Sequence, residues 1–355
     1  WTAHTPPVSP PTTGAAATDP DTGRLILLTD SGETWRWAGA AWDLGEAAAP
    51  QGAAVPTPWT ERSPASCPPA RTGAVMVTDE ARHQVVLFGG SLSPLGPTPL
   101  APGDTWIWDG STWSPLHPNP APPGRTGAAA AFDPVHAVVV LYGGVGLDDK
   151  GNPVPFDATW TWNGAAWKRQ SPKTAPAGQR LASMAWDPGG RTVILVTGAS
   201  PQTAETWSWD GAQWTRLHPR TTPPYGALVT APDLGGLLLA SPTGGPGGQP
   251  STWSWSGGDW HRLIVAGTPA VSAPALAYEG GAHRVVLFGG DCPTGHCPTD
   301  ATWSFDGHSW VQLRAVASPP PRAGAVLAAD ATRPGLVLFG GGDLGRLWGD
   351  TWVFT

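Results

Sequence analysis

Short apolar runs punctuated by glycine recur along the chain: VVLFGG at 85–90, VVVLYGG at 138–144, VVLFGG at 285–290 and LVLFGG at 336–341. Runs with no polar alternation predict strands buried on both faces. Each is preceded by a strand of small residues, as in GAAAAFD at 127–133. Each is followed by an alternating strand of the form TWxW, a tight DG or NG turn, and a last strand opening on Trp, as in WSPLHP at 113–118. In the TWxW strand the period of two puts both aromatic rings on one face.

The threonines of this third strand are Thr34, Thr105, Thr159, Thr206, Thr252, Thr302 and Thr351, at intervals of 71, 54, 47, 46, 50 and 49 residues. A four-stranded unit repeating at about 50 residues predicts a propeller blade. The expected fold is therefore all-β: one seven-bladed β-propeller domain over residues 1–355, with blades beginning near 14, 73, 127, 181, 226, 273 and 324. The seventh unit stops after its third strand, at Thr355, and WTAHTPP at the N-terminus reads like the fourth-strand segment WTRLHPRTTPP at 214–224. Residues 1–13 are accordingly expected to complete the last blade and close the ring. Trp42 and Trp59 both suit the start of the first blade's fourth strand, with DLGEAAAPQGAAVPTPW folding out between them as a surface loop.

Packing blades face to face buries the repeated tryptophans. A buried Trp hides roughly 200 Å², worth about 5 kcal/mol gross. Most of the 22 Trp thus read as architecture.

The glycine pair, the later Trp and the stretches PPARTGA, PPGRTGA and PPPRAGA before strand one resemble kelch repeats, and TWxWDGxxW is similar to the bacterial kelch-like type. The resemblance runs over essentially the whole chain. It implies a propeller of the kind that serves as binding platform, enzyme domain or receptor ectodomain. WD40 is excluded because the WD pairs lack a partner GH. An Asp-box match, DSGETW at 30–35, occurs once among seven equivalent loops. Galactose-oxidase-like kelch enzymes need a copper-radical set of two Tyr, a Cys and two His. Of three tyrosines here, Tyr142 and Tyr278 are core by position, leaving Tyr225. The iron-binding ExxxDxxxH run of nitrile-specifier-like proteins is absent too.

Composition adds compartment and partner. Net charge is −7 from scattered acids, which recommends neither nucleic acid nor an anionic membrane. No apolar run reaches the ~20 residues of a spanning helix. The chain begins at Trp1 without Met, so any targeting segment is out of view. Cys292 and Cys297 enclose PTGH and are expected to form a disulfide in an oxidising compartment, with Cys67 free. The alternative, a metal site of Cys292, His296 and Cys297, fits zinc spacings poorly.

No catalytic constellation, metal site or cofactor motif is found. His117, His218, His83, His136 and His283 fall in turns and strand ends. Asp148, Asp149 and Asn152 match no calcium loop. Two features point to binding. Arg71, Arg125, Arg180 and Arg322 each sit just before strand one, with Tyr225 at the corresponding place in another blade. Unpaired, they make an anion-binding channel mouth. Bridged to Asp104, Asp157, Glu205, Asp300 or Asp350, they are structural. The other feature is the set of variable loops between strands two and three (91–104, 145–157, 291–300 and 342–350), carrying Phe156 and Trp348 outside the repeat pattern. The expected function is a non-catalytic binding module, monomeric and secreted or at the cell surface. Its ligand is a protein or a small acidic or carbohydrate molecule held over the long-loop face. The alternatives are a carbohydrate-active hydrolase or lyase, or an architectural ectodomain.

Overall fold

The computed structural model describes four strands of the first 58 residues and residues 59–355 apart from 95–100, 179–181, 199–203, 244–247, 293–296, 314–316 and 344. The chain separates into two compact units, 1–54 and 55–355. The first contains one antiparallel four-stranded sheet, Gly14–Thr18, Leu25–Thr29, Thr34–Trp37 and Trp42–Gly45, paired in chain order.

The second unit is a propeller of six blades, not the seven expected. Blade I is Val75–Asp79, Gln84–Phe88, Thr105–Trp108 and Trp113–Leu116. Blade II is Thr126–Asp133, Val138–Leu147, Thr159–Trp162 and Trp167–Arg169, with Pro153–Pro155 added on its second strand. Blade III runs from Ala182–Asp187 to Trp214–Leu217, blade IV from Ala227–Ala231 to Asp259–Leu263, and blade V from Ala275–Glu279 to Trp310–Leu313. Blade VI takes Val326–Ala329, Leu336–Phe339 and Thr351–Phe354 from the C-terminus. Its fourth strand is Trp59–Arg62, antiparallel to Thr351–Phe354 with Trp59 opposite Phe354. Closure by residues 1–13 is therefore overturned: the strand that closes the ring begins at Trp59. Residues 1–13 themselves, and the segment from Glu46 to Pro58, lie outside the described residues.

Hydrogen bonding shows why six blades suffice. The indole N–H of each fourth-strand Trp donates to the third-strand Thr hydroxyl of the preceding blade. The pairs are Trp113–Thr351, Trp167–Thr105, Trp214–Thr159, Trp260–Thr206, Trp310–Thr252 and Trp59–Thr302, at 2.8–3.0 Å. This cycle returns to its start after six steps, so every blade has two partners and no seventh can enter. Aromatic contacts accompany the bonds. Trp59 meets Phe288 and Phe354 edge-on at 5.1 and 5.0 Å, and Trp167 meets Phe88 at 5.3 Å.

The two tryptophans of the TWxW strands in blades I to IV do share a face, and that face packs between blades: Trp160 and Trp162 lie with Val86 and Phe88 of blade I. The glycine pair has a related cause. Gly89 has φ +69°, and a Cβ there would stand 2.5 Å from the Arg125 carbonyl oxygen of the next blade. Only glycine allows that approach.

Candidate functional site

Strand one of every blade lines the central channel, and its small side chains leave space there. At the end where strand one begins, a cavity of about 430 Å³ is walled by residues including Gly73, Ala128, Ser183, Tyr225, Ser272 and Gly324. Among the described lining residues, the Tyr225 phenol is the one group that ionises. The Tyr225 hydroxyl makes no hydrogen bond to the described residues; Ser183 Oγ, also without a partner, is buried out of contact with solvent. Burial pushes the Tyr225 pKa up, so it is a neutral donor at pH 7.

Of the predicted arginines, Arg71, Arg125 and Arg322 are not among the described residues that wall this cavity. Arg71 is buried inside blade I, its guanidinium donating to Asp104 by two bonds of 2.7 and 2.9 Å and to the carbonyls of Pro69 and Gly89. Arg322 repeats the arrangement in blade VI with Asp350, at 2.5 and 2.8 Å, and with the carbonyls of Pro320 and Gly340. These are bidentate bridges of the structural kind. Burial opposes the charge on Asp104, but the hydrogen bond and positive charge of Arg71, with the Trp106 indole, outweigh it and hold its pKa below the ordinary carboxylate range. Arg125 keeps the backbone contacts, to Pro123 and Gly143, without a carboxylate. Arg180 lies outside the described residues.

Trp348 is half-buried and sandwiched between guanidiniums, 4.7 Å from Arg322 and 3.8 Å from Arg346. Its ring is thus the cover of the Arg322 bridge. Phe156 stands over Arg125 in the same way, at 4.4 Å. Cys292 and Cys297 form the expected disulfide, with Cα atoms 5.5 Å apart, and Cys67 is free and exposed. Asp148 closes its own loop by accepting from the backbone N–H of Lys150 and Asn152.

One arrangement escaped the sequence reading. At the opposite end of the channel, Asp233 of blade IV accepts from the Tyr278 hydroxyl at 2.5 Å and lies 2.6 Å from His283 Nδ1, both on blade V. Tyr278 borders a second cavity of about 430 Å³ at that end, and its pKa is pushed up to about 12 by burial and by Asp233. The three residues come from two blades, so no spacing along the chain announces them.

The fold and channel define the class: a six-bladed β-propeller whose described lining residues at this channel mouth carry no charged side chain. Within that class the chain is similar to the solved structure of YjhT, with a TM-score of 0.59 and 14% identity over 82% of this chain and 96% of that one. At that identity the likeness speaks for the fold alone. No family profile and no curated protein matches the sequence. No helix among the described residues is long and apolar enough to cross a membrane.

Proposed function

We propose that this propeller is an exported, non-catalytic binding module that takes an uncharged, hydroxylated group, such as a neutral sugar, at the channel mouth bearing Tyr225. The observation that carries the reading is the neutral Tyr225 phenol, without a hydrogen bond to the described residues, in a wall otherwise made of Gly, Ala, other apolar side chains and the serines Ser183 and Ser272. Concave apolar sites with a few placed polar groups are where small ligands bind. The described wall carries no fixed charge, which favours a neutral ligand, and the buried bridges of Arg71 and Arg322 leave those two guanidiniums committed elsewhere. The disulfide supports export, since such bonds persist in oxidising compartments. The kelch-like resemblance of the repeats is compatible with this role.

A panel of neutral mono- and oligosaccharides titrated calorimetrically tests it. At least one is expected to bind, and Tyr225→Phe is expected to weaken it about 2–10-fold, the worth of one hydrogen bond. A panel without binders, or affinities untouched by Tyr225→Phe, counts against the reading. The hydrolase or lyase alternative has the Asp233–His283–Tyr278 cluster in its favour. Turnover of a sugar that His283→Ala abolishes would replace the binding role with that one.

A further inference from the structure

In blades I and VI, one carboxylate oxygen gathers two buried donors. Asp104 Oδ2 accepts from Arg71 Nη2 at 2.9 Å and from Trp106 Nε1 at 2.7 Å. Asp350 Oδ2 accepts from Arg322 Nη2 and Trp352 Nε1, both at 2.8 Å. In blade III the same position is Glu205. It accepts from Trp207 Nε1 at 3.0 Å and pairs with Arg216, which lies opposite Trp207 on the fourth strand, at 2.8 Å.

Blade II keeps every donor and lacks the acid. Its Arg125 is 1% exposed and anchored as its sisters are, Nε on the Pro123 carbonyl at 3.0 Å and Nη1 on that of Gly143 at 2.9 Å. Trp160 sits in the register of Trp106, opposite Leu141 as Trp106 is opposite Leu87, and Arg169 faces it across the fourth strand as Arg216 faces Trp207. The residue before the third-strand threonine is Ala158, because the sequence reads DATW where blades I and VI read DTW. Asp157 is displaced by one residue and exposed, with no hydrogen bond or ion pair to Arg125. The consequence falls on two atoms together: Arg125 Nη2 and Trp160 Nε1 are both buried with no acceptor.

We infer that blade II binds a small monoanion, of chloride to formate size, beside the Ala158 methyl group, where it replaces the side-chain carboxylate of the sister blades. The group missing relative to Asp is one carboxylate, which sets the size. A guanidinium stays charged at neutral pH, and an unpaired charge or donor in a buried site is costly. A monoanion answers both donors and offsets the charge. Burial, and then repulsion from Arg169, lower the Arg125 pKa to about 10, a second sign of uncompensated positive charge. Arg169, opposite Trp160 on the fourth strand, is exposed.

Thermal melting of the full chain in chloride, with gluconate replacing it at constant ionic strength, tests the inference, and a parallel series uses formate. The midpoint of the unaltered protein is expected to climb by a few degrees with log anion concentration, as specific binding to the folded state requires. Ala158→Asp supplies the carboxylate internally. Its midpoint is expected to be higher in gluconate and flat in either anion. Should that variant fold poorly, bromide soaked into crystals of the unaltered chain is expected to give an anomalous peak within hydrogen-bonding distance of Arg125 Nη2 and Trp160 Nε1. A flat response of the unaltered chain, an equal response of Ala158→Asp, or no bromide peak there overturns the site. So does a large destabilisation by Asp157→Asn in gluconate, which would make Asp157 the missing carboxylate.

Discussion

Asp104 is held by Arg71 on one side and by the Trp106 indole on the other, so its charge is part of how blade I is built. Its folded pKa is lowered, so the unfolded chain binds its proton first as pH falls. The stability it contributes is present above about pH 4, the unfolded value, and is lost as pH falls through the lower folded value. Asp104→Asn is expected to cost about 3 kcal/mol at pH 7, the low end for breaking a buried pair, and to flatten the acid limb of a stability-against-pH curve. An unchanged acid limb by urea denaturation would show that the bridge carries no net stability. From sequence, the arginines and the acids before strand three were already placed on one face, and the structural bridge stood as one of two readings. One residue decides between them: DTW puts the carboxylate against the guanidinium, while DATW carries it out to solvent at Asp157. That difference is visible in the letters, but it acquires meaning only beside the donor geometry of Arg71 and Trp106.

Blade by blade, the elements were legible because each strand carries its own signal. Continuous apolar runs became second strands, and the TWxW alternation set the blade-to-blade face. The Trp after the turn proves to be a cross-blade donor as well as a packing residue. Thr159 is buried and accepts from Trp214 of blade III at 2.8 Å. Thr159→Val keeps the shape and removes the acceptor, leaving a buried indole N–H unpaired. The expected loss is about 1–3 kcal/mol in urea denaturation, against near zero for Thr215→Val on the exposed fourth strand of blade III. Equal midpoints for the two variants would reduce the six Trp–Thr bonds to incidental contacts. Where local signals are equal, sequence could not choose. Trp42 and Trp59 each open a fourth strand, of the N-terminal sheet and of blade VI respectively. Nothing in either tetrapeptide says to which sheet it belongs.

Ring size is a property of the whole molecule, set by how many blades of this width and twist close, and seven copies of a motif do not fix it. The one sequence hint was the 71-residue step from Thr34 to Thr105, against 46–54 for every later step. A loop inside one blade would lengthen the step equally, whereas in the structure it spans the end of one sheet and the strand that closes another. Closure by Trp59–Arg62 makes a sharp prediction about truncation. Trp59 is buried, donates to Thr302 of blade V, and contacts Phe288 and Phe354. Removing it gives up on the order of 5 kcal/mol of gross burial and exposes the edge of Thr351–Phe354, an invitation to aggregation. Deleting residues 1–54 removes the N-terminal sheet and leaves this strand in place. The shorter deletion is therefore expected to give a monomer whose main unfolding transition keeps its midpoint. Extending it through Arg62 is expected to lower that midpoint sharply or to yield aggregate in size-exclusion chromatography. Loss of the main transition already in the 1–54 deletion would mean that the six blades depend on the N-terminal sheet. Indifference to the longer deletion would mean that Trp59–Arg62 does not close the ring.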